Sequence, residues 1–474
     1  MLFNSFIFFI FLGAILPIFY FLPNKQSKNI FLVISSYFFY GYWDWRFCGL
    51  LAISTVIDFY IGRKIYETKN TKKRKLFLII SLVSNLGILA FFKYFNFFVD
   101  SFVTISENIG WNVDFLHLNI LLPVGISFYT FQTLSYTIDV FKKKLEPTKN
   151  FIDFALFVSF FPQLVAGPIE RAKALLPQLS KKLTPSIEQI KAGITLIVLG
   201  LFRKVMIGDT AGRYVDSIFG DLNTYMSIEL IVGLVLFSIQ IYADFSGYSH
   251  MARGTAKLLG VELMKNFEQP YFSRNITEFW RRWHISLSSW LKDYLYISLG
   301  GNRNGKFLMY RNLMITMLLG GLWHGASWNF VIWGGLHGVY LTIHKFFSKN
   351  KIPHSNRIKK LTVVIFINIL TTYILVLFTW LFFRSTSWET TELFFSKIIN
   401  WESSEHSSLF ISIACTYLLA IITLDIFEYV TGKHSFILLI KSSGIRYGIL
   451  SALFLVSLIY MLQAESLPFI YFQF

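Results

Sequence analysis

About a dozen apolar runs, each long enough to cross a ~30 Å hydrocarbon core upright or tilted, recur along the 474 residues of this chain. They fall near residues 3–22, 30–42, 47–61, 76–98, 120–141, 151–165, 190–207, 228–245, 308–322, 328–347, 361–383, 409–430 and 447–462. In lipid every backbone polar group must be satisfied within the segment, so runs of this length specify helices. Composition agrees: 54% of residues are hydrophobic and 15% charged, more apolar surface than a soluble chain of this length can hide. The expected fold is an all-α, polytopic integral membrane protein with about 11–13 transmembrane or half-crossing helices. There is no internal repeat or low-complexity linker, so residues 1–474 read as a single domain. The run 3–22 lacks a basic leader and a small-residue cleavage site, and reads as a retained first span.

The formal charge of +17 would suit nucleic acid if it were gathered on one face. It is instead dispersed over short loops. Arg63, Lys64, Lys69, Lys72, Lys73, Arg74 and Lys75 face only Glu67; Lys142, Lys143, Lys144 and Lys149 follow the fifth run; Lys345–Lys360 follows the tenth. Such loops are retained in the cytoplasm, and no nucleic-acid partner is expected. Residues 99–119 hold Asp100, Glu107 and Asp114 with no Lys or Arg, and 208–227 hold Asp209, Asp216 and Asp221 against Arg213 alone. Both should be external, with both termini outside. Basic residues on either side of 151–165 then require that run to enter and leave by one face, as a re-entrant or half-crossing segment broken at Pro162, Gly167 and Pro168.

Residues 246–306 form the longest stretch without a clear span. Within it Trp280, Trp283 and Trp290 are spaced by three and seven, with Leu287 and Leu291 continuing the stripe. That spacing predicts an amphipathic helix lying at the interface. It also carries His284, while His324 ends the apolar run 308–322 among Gly320, Gly321 and Gly325. An ionisable side chain at membrane depth is expensive and is a functional candidate by default. Of the other histidines, His117, His354, His406 and His434 fall in expected loops, His344 near a helix end, and His250 after DFSGYS; His337 lies in the span after His324. No HExxH, CxxC or carboxylate cluster has metal-ligand spacing, so no metal is expected. There is no phosphate-binding glycine loop and no GxSxG elbow. What remains is an imidazole able to act as general base on a hydroxyl.

Longer motifs carry a resemblance. LPVGISFYTFQTLSYTIDV at 122–140, FFPQLVAGPIERAKALLPQL at 160–179, YADFSGYSHMARGTAKLLG at 242–260, NITEFWRRWHISLSSWLKDYLYISLGGNR at 275–303, LLGGLWHGASWNFVIWGGLHG at 318–338 and the ending PFIYFQF are similar to the membrane-bound O-acyltransferase family, in its alginate O-acetyltransferase branch. His250 departs from that pattern, standing where the family carries an acid. The resemblance implies a helical bundle around a tunnel, with His324 as catalytic residue and His284 as the second signature position. It implies that Trp283, Arg281, Arg282, Asp244 and Trp323 line the tunnel or the donor side. It further implies acetyl-CoA as donor with no tightly bound cofactor, a polysaccharide acceptor such as alginate, and a separate extracytoplasmic SGNH-type transferase as partner. The setting would be the cytoplasmic membrane of a bacterium. Peptidoglycan O-acetylation, D-alanyl transfer to teichoic acid and a non-enzymatic export conduit are the alternative expectations.

Overall fold

The computed structural model describes residues 1–111, 117–165, 167–303, 305–347, 361–463 and 467–472. Most of the expected loop Lys345–Lys360, with His354, and Asp114 lie outside the described residues. All regular structure among the described residues is helical. In chain order the first helices are α1 (Phe6–Phe21), α2 (Lys25–Asp44), α3 (Cys48–Glu67), α4 (Thr71–Leu89), α5 (Phe95–Asn108) and α6 (Ile126–Phe141). Then come α7 (Phe151–Ser159), α8 (Phe161–Leu164), α9 (Ala172–Leu179), α10 (Ile187–Phe202), α11 (Thr210–Gly220) and α12 (Ser227–Leu258). The last group is α13 (Ile276–Arg282), α14 (Ile285–Trp290), α15 (Lys306–His324), α16 (Trp328–Phe347), α17 (Leu361–Arg384), α18 (Trp388–Ile399), α19 (Ser407–Thr431) and α20 (Ser443–Gln463). Six stretches among the described residues are long and apolar enough to cross a membrane, two of them spanning helix pairs, α2–α3 and α4–α5. The protein is a polytopic membrane protein.

The chain builds around α12, which is buried along nearly its whole length and packs on α10, α11, α17 and α19. A second group, α2, α3, α4, α6 and α7, packs to one side, and α15 and α16 form a closely packed hairpin against α17. Residues 246–258, which read as the start of a polar stretch, continue α12 without a break. The small residues there serve helix contact. A Cβ on Gly247 would sit 2.7 Å from the Gly200 carbonyl oxygen, and one on Gly254 would sit 2.6 Å from that of Gly193. Two glycine pairs, each seven residues apart, thus let α10 and α12 touch backbone to backbone.

The run 151–165 is interrupted rather than continuous. Helix α7 has 9 residues, about 14 Å at 1.5 Å per residue, far short of a span. It stops at Phe160, and the single turn α8 follows with Pro162 in its first turn. The break exposes the Phe157 carbonyl, which accepts hydrogen bonds from Gln132 Nε2 and from Gln163 Nε2, the latter at 2.8 Å. Non-helical backbone at this depth is tolerable because protein side chains satisfy it.

Two expectations fail for identifiable reasons. Trp280, Trp283 and Trp290 do not share one interfacial helix. The chain breaks between α13 and α14, where His284 takes a left-handed conformation with φ of 41°, and Trp283 is fully buried. Periodicity cannot register a one-residue break of this kind. Asp209 is not in an external loop: it lies in a π-helical turn (Arg203–Asp209) joining α10 to α11, buried and ion-paired to Lys204 at 2.6 Å.

Candidate functional site

The site is assembled from the ends and breaks of helices. At the crossing of α15 and α16, a Cβ on Gly321 would collide with the Phe330 carbonyl, and one on Gly334 would collide with that of Met317. The hairpin therefore closes only with glycine at both positions, and this closure carries the last turn of α15 into the interior with His324 as its final residue. A helix end leaves carbonyls without partners. Here Lys93 Nζ donates to the Trp323 and His324 carbonyls at 2.6 and 3.0 Å, and Tyr94 Oη donates to that of Leu322 at 2.8 Å. Both donors sit in a π-helical turn, Ala90–Tyr94, between α4 and α5. The ammonium also opposes the negative end of the α15 dipole.

His284 is placed by a different device. Left-handed backbone at a non-glycine residue costs about 1–2 kcal/mol, and here Asn266 holds it. The Asn266 carbonyl accepts from Ile285 N at 2.9 Å and its side-chain oxygen from Ser286 N at 3.3 Å. Ser286 Oγ in turn accepts from Ile169 N at 3.0 Å, tying the kink to the segment after α8.

The two rings come together with centroids 6.3 Å apart. Around them stand Phe245 at 4.7 Å from His284, Trp323 at 5.7 Å from His284, and Trp333 and Phe383 at 5.0 and 5.4 Å from His324. Tyr471, in the C-terminal segment, is 5.4 Å from His324 and 6.3 Å from His284. Several buried polar atoms here go unused: both nitrogens of His284, Nδ1 of His324, Nε1 of Trp323 and the hydroxyl of half-buried Tyr471 have no protein hydrogen-bond partner. Buried polar atoms are almost always paired, so a cluster of open ones that also lines a cavity makes this the candidate site. His337, nearby, differs. Its Nδ1 accepts from Trp280 Nε1 at 3.3 Å and its Nε2 pairs with Thr379 Oγ1 at 3.0 Å, which fixes its tautomer and occupies both nitrogens.

Two cavities are lined by candidate residues. One, of about 380 Å³, is lined by Trp43, Lys93, Leu122, Phe128, Trp323, His324 and Tyr471 among others. Another, of about 600 Å³, is lined by Lys265, Arg274, Arg281, Arg282, Thr277 and His344 together with Glu268, Glu278 and Glu428. Several of its charges neutralise one another: Lys265 pairs with Glu268 at 2.9 Å, and Glu278 with Arg274 and Arg282 at 2.9 and 2.8 Å. Burial alone would push the Glu278 carboxyl up, but hydrogen bonds from Arg274 and Arg282 hold it below the usual range. Arg281 is exposed and also lines the cavity.

The sequence-derived residues thus separate. His284, His324 and Trp323 meet. Arg281 and Arg282 line the larger cavity, while Trp283 and His284 lie deeper and do not line it. Asp244 does not face the imidazoles. Its Oδ1 pairs with Lys204 at 2.9 Å, and its Oδ2 accepts from Ile470 N at 2.8 Å, so it acts by anchoring the segment that presents Tyr471. Lys93, Phe128 and Tyr471 went unread. Lys93 had a signal, as a single charge inside the apolar run 76–98; Tyr471 had none beyond its motif.

His250 and His434, read as a helix-end contact and a solvated loop residue, are both buried and bonded to each other at 2.8 Å. With Glu428 their ligand atoms lie within 4.8 Å of one another, close enough for a metal ion. Arg253 Nη1, however, donates to His434 Nδ1 at 2.9 Å, and its fixed positive charge opposes a cation there.

Comparison with known proteins matches residues 43–383 to the MBOAT, membrane-bound O-acyltransferase family. The chain is 42% identical over 404 residues to a probable alginate O-acetylase AlgI of Pseudomonas aeruginosa, covering 84% of this chain and 75% of that protein. It is 37% identical over 415 residues to a peptidoglycan O-acetyltransferase of Helicobacter pylori, covering 80% and 77%. It is 27% identical over 240 residues to a teichoic acid D-alanyltransferase of Bacillus subtilis, covering 49% and 61%.

Proposed function

Because the chain belongs to the membrane-bound O-acyltransferase family, we propose that it carries an acetyl group from a cytoplasmic donor, acetyl-CoA, to a hydroxyl on the outer side, for O-acetylation of an exported polysaccharide such as alginate. The observation that carries this reading is the unpartnered pair His284–His324, with His324 lining an apolar cavity, while Arg281 and Arg282 line a separate charged one. The guanidinium groups of Arg281 and Arg282 suit the anionic donor at the inner cavity. The acetyl thioester reaches inward past the aromatic rings. His324 takes the proton of the acceptor hydroxyl as its oxygen bonds to the acyl carbon; the C–S bond breaks, and the proton passes to the departing thiolate. His284 and the Trp323 N–H supply hydrogen bonds to the reacting oxygens. The Tyr471 hydroxyl faces the same space and donates a further hydrogen bond to a reacting oxygen.

The names of the relatives support acetyl over D-alanyl as cargo, since the similarity to the D-alanyltransferase is lower and covers about half of this chain. The outer partner that completes transfer, an SGNH-type transferase, and a setting in the bacterial cytoplasmic membrane belong to the same proposal. The test is release of free thiol from acetyl-CoA by the purified protein in liposomes, with a polysaccharide acceptor and its outer partner enclosed. Release that depends on the acceptor and is lost in His324→Gln supports the reading. Equal use of a D-alanylated carrier protein, or transfer to peptidoglycan in preference to the polysaccharide, would replace it by one of the alternatives.

A further inference from the structure

Asp58 lies midway along α3, fully buried, and has no ion-pair partner among the described residues. The buried carboxylates of Asp153, Asp209 and Asp244 are each held by a lysine. A buried charge at membrane depth is costly unless it is paired, so something other than a basic side chain must neutralise this one. What surrounds it is oxygen. Helices α3, α4 and α6 pack on one another, and each contributes two polar side chains four residues apart on one face. These are Ser54 and Asp58, Ser81 and Asn85, and Thr133 and Thr137, all at most 2% exposed.

The layer is closely set. Ser81 Oγ donates to Asp58 Oδ1 at 2.6 Å and stands 3.0 Å from Thr137 Oγ1. Asn85 Nδ2 donates to Asp58 Oδ2 at 2.8 Å, and Ser54 Oγ donates to Asn85 Oδ1 at 2.8 Å. Thr133 Oγ1 lies 3.4 Å from that same amide oxygen. Such groups can bind membrane helices together by hydrogen bonds alone. Here the protons run short of the lone pairs. The Thr133 and Thr137 hydroxyls direct theirs to the Thr130 and Leu134 carbonyls at 3.2 and 3.3 Å. Asp58 is left with two donors, both neutral. A proton on Asp58 would remove the charge but add a single donor, whereas a cation answers the charge and the lone pairs together.

Hard cations take oxygen ligands, and divalent Ca²⁺ is bound through several carboxylates. One carboxylate among neutral oxygens suits a single positive charge. Oxygens 2.6 and 3.0 Å apart favour a small ion, Na⁺ over K⁺. We propose that this layer is a buried Na⁺ site, with Asp58 as the charged ligand and the oxygens of Ser81, Asn85, Thr133 and Thr137 completing the shell. Asn85 joins it with its amide turned, oxygen toward the ion. The ion clamps three helices, two of which lead to the acyl-transfer site. Helix α4 runs into the turn bearing Lys93 and Tyr94, and α6 carries Phe128 of the cavity lined by His324.

The test is binding of radiolabelled Na⁺ to the full-length protein in detergent, with thermal midpoints measured in NaCl, KCl and choline chloride at equal ionic strength. Binding should saturate at one ion per chain, yield to unlabelled Na⁺ and resist K⁺, and the midpoint should rise in NaCl alone. Asp58→Asn keeps the size and the hydrogen bonding of the side chain; it should abolish both the binding and the Na⁺ dependence of the midpoint. Thr137→Val, a milder change in the same shell, should weaken Na⁺ binding by about tenfold or more. Absence of saturable Na⁺ binding by the folded native chain would overturn the assignment and leave a protonated Asp58 in a hydrogen-bonded layer. So would undiminished binding in Asp58→Asn, which would place the ion elsewhere. Should Asp58→Asn fail to accumulate, the native chain and Thr137→Val still decide. None of these readouts involves acyl transfer, so the proposal fails or stands independently of the catalytic reading.

Discussion

Two buried polar regions lie a few side chains apart and solve the same problem in opposite ways. Between α10–α11, α12 and α19, Arg203 pairs with Asp425 and Glu428 at 3.0 and 2.9 Å, and Lys204 pairs with Asp209 and Asp244 at 2.6 and 2.9 Å. Tyr242 Oη adds hydrogen bonds to both Asp425 oxygens at 3.0 Å, and Gln269 Nε2 one to Glu428 at 3.0 Å. Beyond Phe245, His284 and His324 are as deeply buried but keep nitrogens that nothing in the protein engages. Burial of an ionisable group is therefore a poor guide to function here. The first region is ion-paired and the second keeps open imidazole nitrogens, and Asp244 joins the two by holding Ile470 N, next to Tyr471.

If the ion-paired layer is scaffold, Arg203→Met should remove about 3–5 kcal/mol of stability by stranding two buried carboxylates. The expected signs are a lower thermal midpoint in detergent and less protein in the membrane, with turnover per folded molecule preserved. Loss of turnover in well-folded protein would instead place Arg203 in the chemistry. On the other side of the comparison, Tyr471→Phe keeps the ring packing and removes only the hydroxyl. Removing one positioned donor at a reacting oxygen costs about 10²–10³ in rate, and stability should not change, because that hydroxyl has no protein partner to lose. A variant that is destabilised but fully active would move Tyr471 to the scaffold.

The outcome of reading the sequence follows the same division. Apolar runs gave the helical membrane fold, since each depends on solvation of many residues at once. His284 and His324 stood out because an imidazole in an apolar run is rare. What was missed depends on a single residue's backbone or on contacts distant in the chain. The left-handed His284 splits a tryptophan stripe that looked continuous. Residues 246–258 read as the start of a polar stretch without a span, but they continue α12, and Gly247 and Gly254 there are contact points on α10. His434 looked solvated and is paired across 184 positions with His250. Tyr471 reaches the site only because a carboxylate 226 residues earlier accepts the Ile470 N–H.

Smaller effects sharpen the boundary. Lys93→Met leaves the Trp323 and His324 carbonyls without their donor, at a cost of about 1–3 kcal/mol. Because those carbonyls end α15, the loss should appear both as a lower thermal midpoint and as reduced turnover, placing Lys93 between the two regions. In the charged cavity, the Glu278 carboxyl is held low by Arg274 and Arg282. A depressed folded value means that its contribution is present above the unfolded carboxylate range and is lost as pH falls through the folded value. Thermal midpoints should therefore decline less steeply with acid in Glu278→Gln than in the native chain, by under about 1 kcal/mol for so accessible a pair.

The central claim is that the unpartnered imidazole does the chemistry, and His324→Gln tests it most directly. Glutamine fills the site and can hydrogen-bond, but cannot take the proton. With expression and thermal midpoint measured on the same preparation, the account predicts an unchanged midpoint and a fall of about 10²–10⁴ in acyl transfer per folded molecule. Transfer at the native rate by stably folded His324→Gln would contradict it.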